Sequence, residues 1–124
     1  MPTGGHMPAF EAWDVIKVPF PYTDRPVRQR RPALVVSAND LQTAHGLLWV
    51  VMVTSAENRG WLGDVGVSDL AHAGLPAQSV VRTAKIATIE AKDAERLGSL
   101  PLADRLAVEN CILGELARAK QELL

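Results

Sequence analysis

Two apolar runs dominate the middle of the chain: PALVVSA, beginning at Pro32, and LLWVVMV, beginning at Leu47. Each is short, continuous and rich in β-branched residues, the pattern expected of strands covered on both faces. The intervening NDLQTAHG reads as the turn between them. Strands of this kind need a core to hide in, and 48% hydrophobic residues in 124 are enough to fill one compact domain.

The flanking segments are read against that pair. Upstream, WDVIKVPFPY alternates with period two, setting Ile16, Val18 and Phe20 on one face and Val15 and Lys17 on the other, as in a half-buried strand. TDRPVRQRR, polar and split by Pro26, reads as a loop or frayed hairpin tip. Downstream, TSAENRGW is a loop that opens on two hydroxyls, DVGV a weak strand, and SDLAHAGLPAQS a connector with room for a helical turn. SVVRT and KIATI read as one further strand or two. From about Leu102 the period becomes helical, with Leu102, Leu106, Leu113 and Leu116 on one stripe that is expected to be core or a dimer contact. Five or more short strands with one substantial terminal helix predict an α+β domain, mainly β: a small closed or half-closed barrel with helices outside it. Residues 13–124 form that single domain, and residues 1–12, which begin MPTGGHM, read as a flexible leader.

Charge is unevenly distributed. Between Lys17 and Arg31 five basic residues (Lys17, Arg25, Arg28, Arg30, Arg31) face one acid, Asp24, whereas the chain as a whole carries a formal net charge of −1. A cationic loop on an acidic body concentrates phosphate at one place without making the whole surface adhesive. The single cysteine, Cys111, cannot form an intrachain disulfide, and no apolar run approaches the roughly 20 residues of a membrane helix, so the expected setting is cytoplasmic, away from any membrane. His45 and His72 have no metal-ligand spacing to each other or to Cys111, and no cofactor is expected. Trp49 falls inside an apolar run and is expected in the core; Trp13 and Trp61 lie at strand edges, where packing is favoured over stacking on a base.

The basic loop enters one buried strand and the hydroxyl pair leaves the other. If the two strands are antiparallel neighbours, Arg31 comes close to Thr54 and Ser55. A phosphodiester that gathers charge during in-line attack is well met by a planar guanidinium with two parallel N–H donors and by small hydroxyls around it. In RNA the attacking 2′-hydroxyl is already present, so positioning and charge stabilisation suffice without a metal.

VPFPYTD, RRPALVVS, VTS and GLPAQSVVRTAKIATIE, in this order and spacing, resemble the MazF/PemK (Kid) family of toxin endoribonucleases from type II toxin–antitoxin pairs, from about Trp13 to the C-terminus. The resemblance implies an SH3-like barrel with a C-terminal helix, a homodimer, neutralisation by a cognate antitoxin protein, and metal-independent cleavage of single-stranded RNA that leaves a cyclic phosphate. Matched position by position, it implies Arg31, Thr54, Ser55 and Arg82 as catalytic residues; beside them the basic residues Lys17, Arg25, Arg28, Arg30, Arg59 and Lys85 are expected to bind RNA. Two departures stand out. Trp13 occupies the place of a glycine before Asp14, and Ala84 the place of an acid two residues after the arginine at 82. The second removes the obvious general base. Two further readings stay open: a toxin of the same fold that grips DNA gyrase, resembling the CcdB family, and a catalytically inactive relative that only binds RNA or the antitoxin.

Overall fold

The structure is a computed structural model in which residues 9–19, 29–58 and 60–122 are described. Among the described residues six strands, β1 (Asp14–Pro19), β2 (Arg30–Val35), β3 (Leu47–Ser55), β4 (Asp64–Gly66), β5 (Ser79–Glu90) and β6 (Glu95–Ser99), form one sheet in the order β4-β5-β3-β2-β1-β6. Every described neighbour pair is antiparallel. The two β-branched runs are β2 and β3, side by side at the centre as their composition predicts. The sheet is open, with β4 and β6 at its edges, so the closed form of the expected barrel does not occur; the α+β class and the terminal helix do.

Strand alternation sorts the core into two layers. On one face Ile16, Val18, Ala33, Val35, Val50 and Met52 pack together with Phe10 and Leu48. On the other, Val15, Leu34, Val51, Val53 and Val81 pack beneath Leu100 and Val108. Val15 and Ile16 are both fully buried, so β1 is covered on both faces, and only Lys17 interrupts it as an exposed residue. Phe20 lies outside the described residues. Phe10, inside the stretch expected to be a leader, is 3% exposed, and its N–H donates to Gln42 Oε1. That glutamine belongs to α1 (Asn39–His45), a short helix where a turn was expected; it ends on Gly46, whose φ of 70° suits the left-handed cap.

The corner before β1 is unusual. Trp13 has φ of 76°, a left-handed conformation that costs a non-glycine residue roughly 1–2 kcal/mol. Its N–H donates to the Val35 carbonyl at 2.7 Å and its carbonyl accepts from Leu100 N–H at 2.9 Å, while the indole packs on the second core layer. The backbone of this position is therefore one that favours glycine, and the turn survives with tryptophan because pairing and packing hold it from both sides.

β5 is a single 12-residue strand and not two. Its register to β3 jumps from Val51↔Ile86 to Met52↔Arg82, so Thr83, Ala84 and Lys85 bulge out of that ladder. After α2 (Leu70–Ala73) and β5, the chain forms a 3-10 turn, Ala91–Asp93, and then β6, for which the sequence offered no pattern.

The C-terminal helix α3 (Leu102–Glu122) is rotated from the face its leucines suggest. Asp104 and Val108 are its buried residues, whereas Leu102, Leu106, Leu113 and Leu116 are more than half exposed. Asp104 is fixed inward by accepting the Ser68 N–H and Oγ–H at 2.8 and 3.0 Å. Trp49 is exposed as well, at 52%, contrary to its place in an apolar run. It lies two positions from Val51, on the helix-bearing face but beyond the packed layer. No helix among the described residues is long and apolar enough to cross a membrane.

Candidate functional site

The β2–β3 register, Ala33↔Met52 through Val35↔Val50, continued past Pro32, sets Arg31 opposite Thr54. Proline has no N–H to donate, and the ladder to β3 ends there. Arg31 pairs with Val18 across β1, which places it on the face of Ile16, Ala33 and Met52. Thr54 follows Met52 by two residues and shares that face, and Met52 is paired with Arg82. Arg31, Thr54 and Arg82 thus gather at one end of the first core layer, where apolar residues give way to polar ones.

Arg31 is half-buried, and its Nη2 donates to Gln29 Oε1 at 2.7 Å. Thr54 is 7% exposed, and its Oγ1 accepts from Asn58 Nδ2 at 2.6 Å. Accepting through oxygen leaves the threonine proton to donate elsewhere. Arg82 is 6% exposed and forked onto Asp64: Nε donates to Oδ1 at 3.1 Å and Nη2 to Oδ2 at 3.0 Å. Asp64 Oδ2 also accepts the Trp61 N–H at 2.9 Å. The hydrogen bonds from Arg82 hold the Asp64 carboxyl below its ordinary value, aided by the Trp61 N–H and opposed by burial. The Arg82 guanidinium lies 4.4 Å from the centroid of the Trp61 ring, and Lys85 Nζ lies 5.6 Å from it.

The remaining expected residues divide. Ser55 turns to the opposite face from Thr54, and its Oγ accepts the Glu57 N–H at 3.2 Å, closing the strand-end turn. Lys17 and Arg30 also belong to that opposite face: Arg30 Nη2 donates to the Lys17 carbonyl at 3.1 Å and sits 3.8 Å from Glu95. Arg25, Arg28 and Arg59 lie outside the described residues. Asn58 and Asp64 went unrecognised in the sequence. A strand-end threonine followed four residues later by asparagine is a faint signal, and the register that brings Asp64 to Arg82 is not written in sequence spacing at all. Among the described residues no three His, Cys, Asp or Glu side chains cluster as metal donors.

The fold has known counterparts. In fold the chain is similar to the MazF of Deinococcus radiodurans (Form-I), with a TM-score of 0.72 at 22% identity over 88% of this chain and 97% of that one. It is similar to a chain of the MazE–MazF complex (Form-II) of the same organism, with a TM-score of 0.68 at 24% identity over 87% and 95%. An endoribonuclease from a mycobacterial species, in complex with its cognate antitoxin, gives a TM-score of 0.67 at 16% identity over 90% and 96%. No curated protein matches the chain. The family described as PemK-like, MazF-like toxin of type II toxin-antitoxin system matches residues 11–114, and the chain belongs to that family.

Proposed function

We propose that this toxin cuts single-stranded RNA by attack of a 2′-hydroxyl on the adjacent phosphate. The O2′–P bond forms, the P–O5′ bond breaks, and the products carry 2′,3′-cyclic phosphate and 5′-hydroxyl ends. The observation that carries the reading is the shared face of Arg31, Thr54 and Arg82. Two guanidinium groups and a hydroxyl donor around one position can meet the charge that develops on the phosphoryl oxygens. The 2′-hydroxyl proton must leave as the O2′–P bond forms, and the leaving 5′-oxygen must gain one. Asp64 is a poor acceptor for the first, since its carboxyl is held low and both of its oxygens already accept from Arg82. The likeness to toxins solved with an antitoxin supports a cognate antitoxin partner, and the reading sets the toxin in the cytoplasm. The gyrase-gripping alternative has no support in these likenesses.

Cleavage of a long single-stranded RNA in excess chelator, followed by analysis of the product ends, tests the proposal. Cyclic phosphate ends are expected. Cleavage only with added metal refutes the mechanism, and intact RNA under all conditions favours the inactive, binding-only relative.

The reading also includes a homodimer. Trp49 and Ile86 and the four leucines of α3 are all exposed in the single chain, a large apolar area for one protomer to leave in water. Sedimentation at micromolar concentration should give twice the 13.4 kDa mass. A monomer under those conditions contradicts it.

A further inference from the structure

We infer that Trp61 is a stacking seat for one nucleobase of the bound strand, beside the phosphate addressed by Arg82 and Thr54. The inference rests on the nuclease reading above. Trp61 is 42% exposed, yet it is held in place from below and behind. The Arg82 guanidinium lies against the ring at 4.4 Å, and the Trp61 N–H is bonded to Asp64 Oδ2, the same oxygen that accepts from Arg82 Nη2. One carboxylate therefore fixes both the backbone that carries the indole and the cation packed on it. The loop is pinned again two residues on, where Thr83 Oγ1 donates to the Gly63 carbonyl at 2.8 Å.

Such a ring has its ordering cost met before any ligand arrives. Its exposed surface is planar and apolar, Lys85 Nζ lies 5.6 Å from the ring centroid, and the buried Arg82 guanidinium backs the ring. A flat heterocycle attached to a phosphate fits that combination: the base stacks on the indole while the adjoining negative charge is drawn to the Lys85 ammonium group. A peptide side chain would use the ring but not the cation beside it, unless it were acidic and aromatic together. The position matters because Arg82 is the cross-strand neighbour of Met52, two residues from Thr54. A base seated on Trp61 therefore belongs to a nucleotide at or next to the scissile phosphate, where stacking would set both the register of the strand and the preference at that position.

The test uses the whole protein with a mixed-sequence, fully 2′-O-methylated RNA, which lacks the attacking hydroxyl and so stays intact during titration. Stacking should quench the intrinsic fluorescence of the wild type, and the quench should be lost in Trp61→Phe while affinity changes by less than about threefold. Trp61→Ala should weaken binding roughly tenfold, the scale of one lost base–aromatic stack. Cleavage of a randomised unmodified RNA should then lose its preference at one position, with the melting temperature of Trp61→Phe matching that of the wild type. A quench that persists in Trp61→Phe, or Trp61→Ala with unchanged affinity and cleavage pattern, overturns the inference and leaves the nuclease reading standing. Weakened antitoxin capture with unaltered RNA binding also overturns it. A wild type that neither binds nor cuts RNA removes both readings.

Discussion

Asp64→Ala takes one acceptor away from three donors: Arg82 Nε, Arg82 Nη2 and the Trp61 N–H. The guanidinium it abandons is 6% exposed, so water does not replace the lost carboxylate without movement. Removing one partner of a buried ion pair costs about 3–5 kcal/mol. Here the Asp64 side chain is itself 11% exposed and β4 is an edge strand of only three residues, so a small outward shift readmits water, and the expected cost falls at the lower end, about 3 kcal/mol. In a chain of this length that corresponds to a drop in melting temperature of roughly 10 °C. Replacing both partners, as in Asp64→Ala with Arg82→Met, leaves no stranded charge and should recover most of the loss. Urea unfolding of the wild type, both single variants and the double variant closes the cycle. The pH dependence has a definite sign. Because the folded-state carboxyl is depressed from 3.8, its contribution is fully present above that value and is lost as pH falls through the lowered one. The gap between wild type and Asp64→Ala should thus stay constant from pH 8 to 5 and narrow only below about 4. A single variant within about 0.5 kcal/mol of wild type, or a gap already closing between pH 8 and 5, refutes the reasoning.

Arg31→Lys keeps the charge but loses the planar fork, so single-turnover cleavage should fall on the order of a hundredfold with RNA affinity nearly unchanged, and Thr54→Val should follow to a lesser degree. Arg30→Lys, on the opposite face and engaged with Lys17 and Glu95, should leave turnover within about twofold; equal small effects of the two lysine variants on turnover would return Arg31 to solvated charge. Gly98→Ala should destabilise the fold by about 1–3 kcal/mol in denaturant unfolding, because a Cβ there would sit 2.5 Å from the Ala73 carbonyl carbon and 2.6 Å from the His72 oxygen, both backbone atoms of α2. An unchanged unfolding midpoint would show that α2 can retreat from β6.

Where the sequence speaks in hydrophobic pattern, it speaks clearly. β2 and β3 are legible because long β-branched runs need cover on both faces, and the meeting of Arg31 with Thr54 follows from pairing those two strands in antiparallel sense. Patterns fail where partners outside the segment decide. The α3 leucines form a clean stripe that the sequence leaves open between core and dimer contact; within one chain it is Asp104, bonded twice by Ser68, that faces inward, and the leucines lie outward. Trp49 belongs to an apolar run but lies beyond the packed layer. Ser55 and Thr54 look alike in sequence; alternation sends them to opposite faces. Asp64 stays hidden since 18 residues separate it from Arg82, and only the β4–β5 register brings them together.

The bulge at Thr83–Lys85 separates two halves of β5 that answer to different demands. Ile86–Glu90 must match β3 in the core, and Ser79–Arg82 must match β3 and β4 where the arginine is held. The three residues between them match neither, and Ala84 is exposed. Substitution at 84 is therefore cheap for the fold, although the position lies only two residues from Arg82. A side chain there can change size or charge without repacking a core residue, so the bulge uncouples the two halves of the strand and leaves both registers indifferent to what stands between them.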